Sequence, residues 1–175
     1  MMISQRELAK KLAGKHILFD TGVIIHSFQN YDSFVDFFIL LIKLKCHFAY
    51  FPLIEFEFIR GAYEEIHRRK RQEFLRNLSF LKLPFQGEDL INDAIRIANI
   101  YAARRNHKTS LVDCLIAAYL RKYSKHLILV TTNHQDFPTY LFDRLFIYPI
   151  DAEKDIITLA FYKFNQIKAQ KLRLN

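Results

Sequence analysis

Three short apolar runs, HILF at 16–19, HFAYF at 47–51 and LILVTT at 127–132, are separated by longer stretches in which apolar residues recur every three or four positions. Short apolar runs bounded by polar residues read as buried strands, and the longer spacing reads as one face of a helix. Strands that alternate with helices specify an α/β domain with a parallel sheet, because parallel neighbours need a crossover connection. This alternation limits the chain more than any single residue does.

The helical stretches can be placed individually. Phe34, Phe37, Phe38, Leu41, Ile42 and Leu44 predict a helix over 31–45 that is apolar round much of its girth. Pro52 suits a first helical turn, and Leu53, Ile54, Phe56 and Phe58 continue the pattern to Gly61. Leu90, Ile91, Ala94, Ile97, Ala98 and Tyr101 form a further stripe, and another helix is expected over 110–122. FLKLPF at 80–85 and LFIYPI at 145–150 read as additional strands, and an amphipathic helix over about 153–170 is expected to close the chain.

A length of 175 residues suits one domain with a sizeable core, expected over about 16–150 with an N-terminal extension and the C-terminal helix appended. Only four Gly and four Pro beside 17 Phe argue against disorder and against a turn-rich all-β fold. Lys and Arg outnumber Asp and Glu by 26 to 18, and the resulting charge of +8 suits a polyanionic partner such as nucleic acid. Cys46 and Cys114 lack CxxC or Cys/His ligand spacing, so a reduced cytoplasm is expected. The start, MMISQRELAKKLAGK, has no apolar signal core, and FVDFFILLIKLKC is interrupted by Asp36, Lys43 and Lys45, so no membrane or secretory segment is expected.

Four acids stand at strand or helix boundaries: Asp20 in HILFDTG, Glu57 in IEFEFIRG, Asp113 in SLVDCLIAA and Asp136 in LVTTNHQDF. Ligands of open α/β sheets gather beyond the carboxyl ends of the strands, where right-handed winding would bring these four together. Clustered carboxylates repel and raise one another's pKa unless a cation neutralises them, and hard oxygen ligands suit Mg²⁺ or Mn²⁺. Asp20 and Asp113 are the expected principal ligands, with Glu57 and Asp136 acting directly or through water.

Together these four stretches resemble the PIN-domain nucleases, most closely the VapC-like toxins of toxin–antitoxin pairs. DTGVI is similar to the opening strand motif, EFIRG to the acidic helix ending in Gly, SLVDCLIAA to the third-acid helix and LVTTNHQDF to the closing strand and turn. The resemblance covers 16–150 and implies a three-layer α/β/α domain and a Mg²⁺- or Mn²⁺-dependent endoribonuclease acting on RNA, with an antitoxin protein as partner. It also implies Thr21 and Thr131 as polar residues beside the metal and Asn133 as a secondary position. Gly22 stands where Asn or Ser is common after the Asp–Thr pair.

Every acid also has a structural reading. Asp20 with Thr21 can cap a helix, Ser110-x-x-Asp113 fits a capping box, Glu57 can pair with Arg60, and Asp136 can form a turn before Pro138. Glu55 is the rival of Glu57 and lies on a different helix face. The basic cluster Arg104, Arg105, His107 and Lys108, just before Asp113, is the expected RNA contact, whereas the run His67–Arg71 reads as a solvated face beside Glu64, Glu65 and Glu73. Alternatives to a toxin-like nuclease are a housekeeping RNA-processing nuclease and a non-catalytic RNA-binding or interaction module. A haloacid-dehalogenase-like phosphatase, suggested by ILFDTG, lacks the second Asp because Val23 follows Gly22. The abundant Phe residues suit either a homodimer surface or one filled core.

Overall fold

The computed structural model describes residues 5–84, 87–104, 109–153 and 155–172. The chain opens with α1 (Gln5–Leu12), β1 (His16–Phe19), α2 (Thr21–Gln29), α3 (Tyr31–Lys43), β2 (His47–Tyr50), α4 (Pro52–Arg60) and α5 (Glu65–Asn77). It continues through β3 (Leu81–Lys82), α6 (Gly87–Ala103), α7 (Leu111–Lys122), β4 (Leu127–Thr131), β5 (Phe142–Asp151), β6 (Ile156–Phe164) and α8 (Gln166–Lys171). The result is an α/β protein with a six-stranded sheet in the order β3-β2-β1-β4-β6-β5.

β3, β2, β1 and β4 are parallel, as the alternation of runs and helices requires. β6 runs antiparallel to both β4 and β5, so the sheet is mixed and the expectation of a purely parallel one is corrected. The helix expected over 153–170 is corrected too: its larger part is β6, inserted between β4 and β5, and only Gln166–Lys171 is helical. Ile157, Ala160, Phe161 and Phe164 stand at helical spacing, which is why the segment reads as a helix. Leu159 and Tyr162 are buried as well, and a strand whose sheet is covered on both faces buries side chains on both.

All five residues of β4 are buried although successive side chains point to opposite faces, so helices cover the sheet on both sides. One cluster of buried apolar side chains extends from Leu8 and Leu12 of α1 to Ala169 of α8, so both ends of the described chain pack into it. Phe19 at its centre packs edge-on against Phe48 and Phe80, with ring centroids 5.3 and 5.0 Å away. Among the described residues no helix is long and apolar enough to cross a membrane.

Two helices end in the same way before a parallel strand. After α3, Lys45 takes φ 57°, its N–H reaching Ile42 O at 2.8 Å and that of Cys46 reaching Leu41 O at 3.0 Å. After α5, Ser79 takes φ 51°, its N–H reaching Arg76 O at 2.9 Å and that of Phe80 reaching Leu75 O at 3.4 Å. This is the left-handed Schellman ending, which satisfies carbonyls the last helical turn leaves open. It turns the chain back to start β2 and β3.

Candidate functional site

Asp20 directly follows β1 and caps α2, with its Oδ1 accepting the Thr21 N–H at 2.7 Å. Its Oδ2 accepts the hydroxyl of Thr131, the last residue of β4, at 2.6 Å. The parallel pairing of β1 with β4 sets these two strand ends side by side. Asp20 is 8% exposed, and its carboxyl pKa is pushed up to about 6. Burial is the main cause, the Thr131 hydroxyl opposes it, and the charges of Asp113 and Glu57 add to the rise.

Glu57 lies on α4, the crossover helix after β2, and its Oε2 accepts the Thr21 hydroxyl at 2.6 Å. Glu55 faces elsewhere and pairs with Lys82 of β3 at 2.5 Å, so the one of the two turned toward Asp20 is Glu57. Asp113, at the third position of α7, closes a capping box with Ser110. Its Oδ2 accepts the Ser110 N–H at 3.1 Å and the Ser110 hydroxyl at 2.6 Å, while its own N–H donates to Ser110 Oγ at 3.1 Å. The capping reading of Asp113 therefore holds, yet its charge still acts on Asp20.

Asp136 reaches the same pole from the loop after β4. Asn133 Nδ2 donates to its carboxylate, and the Tyr101 hydroxyl donates to its carbonyl at 3.0 Å. The Asn133 N–H in turn donates to Thr131 Oγ1 at 2.9 Å, which ties the loop to the bond between Thr131 and Asp20. Asp113 and Asp136 both act on Tyr101 and Cys114, whose ionisation burial already pushes up. Glu57 and Asp113 thus bear on Asp20 at the start of α2, and Asp113 and Asp136 bear together on Tyr101 and Cys114.

Glycine at position 22 has a steric reason. A Cβ there would stand 2.8 Å from Thr132 Oγ1, so glycine lets α2 approach the end of β4. Arg104 lies at the edge of this pole with its guanidinium 4.8 Å from the Tyr140 ring centroid, and that ring packs edge-on to Tyr101. Arg105, His107 and Lys108 lie outside the described residues.

Sequence reasoning placed Tyr101 in a helical stripe and missed its polar role; a buried tyrosine needs a partner for its hydroxyl, and that was the available signal. His134 was also missed: its Nδ1 is buried with no hydrogen-bond partner among the described residues, and so is the hydroxyl of Tyr140 nearby in sequence. Loop residues of this kind carry no spacing signal.

Hard carboxylate oxygens fit Mg²⁺ or Mn²⁺, and Asp20 with Asp113 gives the one or two carboxylates that Mg²⁺ commonly uses beside water and phosphate. Among the described residues no group of three or more His, Cys, Asp or Glu is arranged to hold a metal.

No protein-family model matches the chain. No curated protein matches it either. Among solved structures, TrmN from Thermus thermophilus is similar at 14% identity and a TM-score of 0.34, covering 92% of this chain. This chain spans about half of TrmN's length, 47%. The endoribonuclease expected from the resemblance is corrected at this point: the matching structure is TrmN and not a PIN nuclease, and RNA cleavage is not carried forward. The overlay is loose, and neither substrate nor reaction passes from TrmN to this chain. The expected antitoxin and homodimer gain no support from the structure or from these comparisons.

Proposed function

We propose that the chain acts on RNA through its acidic pole, which takes up Mg²⁺ or Mn²⁺, in a PIN-like arrangement of the sheet. The observation that carries this reading is the buried Asp20, which is pushed up to about 6 with Asp113 and Glu57 bearing on it. A carboxylate perturbed by burial and by neighbouring charges is a recurrent mark of functional sites. The parallel order β3-β2-β1-β4, with Asp20 and Thr131 at adjacent strand ends, supports the PIN-like part of the reading.

Each residue then has a defined task. Thr131 and the Thr21 N–H fix both oxygens of Asp20, so this carboxylate is oriented in advance. Thr21 holds Glu57. Asp113 would exchange its bonds to Ser110 for the cation. Asn133 holds Asp136 beside the site, and Arg104 offers positive charge to the RNA backbone at its margin. A bound cation would neutralise the carboxylates and join them to an RNA phosphate.

A melting series with Mn²⁺, Mg²⁺ or chelator tests this. The parent should melt several degrees higher in Mn²⁺, since binding at 100 times Kd contributes about 2.7 kcal/mol. Asp20→Asn and Asp113→Asn should lose that gain, and RNA retention by the parent should be weaker in chelator than in Mn²⁺. A parent that melts identically in metal and chelator would overturn the proposal.

A further inference from the structure

The opposite end of the sheet is basic. Lys15 immediately precedes β1, which starts at His16, Lys125 and His126 immediately precede β4, and Lys45 and Cys46 precede β2, which starts at His47. Parallel pairing aligns these starts: His16 is in register with His47 and Leu127, the His16 N–H donates to His126 O at 2.9 Å, and the His47 N–H donates to Lys15 O at 3.0 Å. The His16 and His47 rings lie 5.1 Å apart. Burial first, and then the charges of His47 and His126, hold the His16 imidazole below its ordinary pKa.

None of these three lysines and three histidines pairs with a carboxylate among the described residues. Lys15 Nζ donates only to the Lys125 carbonyl, at 2.8 Å, which adds no opposite charge. His16 Nδ1 is buried and finds no hydrogen-bond partner among the described residues. It borders a cleft of about 380 Å³ lined also by Cys46, His47, Asn77 and Ser79. A buried polar atom without a partner is costly unless a ligand satisfies it.

The order β2-β1-β4 sets three Lys–His groups in a row, with neighbouring strands about 4.8 Å apart. A row of charges matches a chain of phosphates, whereas a single anion needs donors that converge. β1 is four residues long, so this row stands about 13 Å from the acidic pole.

We propose that the amino pole of the sheet is a second, cation-independent RNA-binding track, in which Lys45, Lys15 and Lys125 contact successive phosphates of a single strand and the histidines line its floor. The inference rests on the reading that the partner is RNA, and is independent of the metal.

The test is fluorescence anisotropy of a labelled oligouridylate with the full chain in chelator, over a salt series. Lys45 and Lys125 are exposed, so Lys45→Gln with Lys125→Gln should leave the fold intact, which a melt checks. The parent should bind without metal, and the double variant should lose about 1.4 from its log–log salt slope, or about 25-fold in affinity at 0.1 M salt. Lys45→Arg with Lys125→Arg should bind as the parent does, and Asp113→Asn in chelator should bind undiminished. Equal binding by the parent and the glutamine variant overturns the track, and so does a parent that binds only with metal. If metal has no effect at all but the glutamine variant still loses binding in chelator, the acidic-pole reading fails and the track stands.

Discussion

At Asp20 two hydrogen-bond donors meet a buried, crowded carboxylate, and the sign of the pH effect follows. Its folded pKa of about 6 lies above the ordinary carboxyl value of 3.8, so the native state holds this proton more tightly than the unfolded state does. The associated stability is fully present below the unfolded value, falls as pH rises from there through about 6, and is gone above it. The span corresponds to about 3 kcal/mol. Urea unfolding in chelator should therefore show the parent gaining stability from pH 7.5 to pH 5, with Asp20→Asn lacking that component. Asn has one acceptor oxygen for two donors, which returns about 1 kcal/mol, so the variant should be about 1–2 kcal/mol more stable than the parent at pH 7.5. A variant less stable than the parent there would show that the cap outweighs the buried charge.

Ser110 separates the two roles of Asp113 in the same way. Ser110→Ala removes an N-cap and should lower stability by about 1 kcal/mol. It also removes one of the two hydrogen bonds on the Asp113 carboxylate, leaving that from the residue-110 N–H, so Mn²⁺ affinity measured by calorimetry should rise. If stability and affinity fall together, Asp113 contributes to the fold and not to a cation site.

The elements differ in how far their sequences announce them. β1 and β4 are legible because each apolar run is bounded by polar residues on both sides, and β2 because Pro52 closes its run. α3 and α6 are legible because their apolar stripes are long. β6 is not, since Ile157, Ala160, Phe161 and Phe164 satisfy a helical period, and only hydrogen bonding to β4 and β5 decides the outcome. The placement of β6 can be tested directly: Phe161 is 1% exposed and stacks on Phe146 at 4.3 Å, so Phe161→Ala should cost about 3–5 kcal/mol. Ile156, at 68% exposed, should change stability by about 0.5 kcal/mol or less when replaced by Ala. Similar losses at both positions would contradict the strand. The meeting of Asp20, Glu57 and Asp113 was legible from fold class, because crossovers return to the same pole. The Thr21–Glu57 bond and the Asn133 clasp on Asp136 were not, since loop and first-turn geometry decide them. Ser79 adds an element-scale case: its left-handed backbone costs about 1–2 kcal/mol, so Ser79→Gly should stabilise by about 0.5–1 kcal/mol in denaturant melts.

For the whole molecule, the location of β6 makes the last fifth of the described chain part of the sheet. Without it β4 loses a neighbour and β5 loses its only partner. A chain ending before Ile156 should show no cooperative thermal transition, whereas one ending after Lys171 should melt like the parent. The two margins of the sheet have a further consequence. One is β3, two residues long; the other is β5, interrupted by a register shift between Arg144 and Phe146 and carrying Pro149, which cannot donate a hydrogen bond. Neither margin can template another strand, so the sheet resists growing sideways into fibrils. Under the two proposals, RNA would instead meet the ends of the sheet, one acidic and one basic.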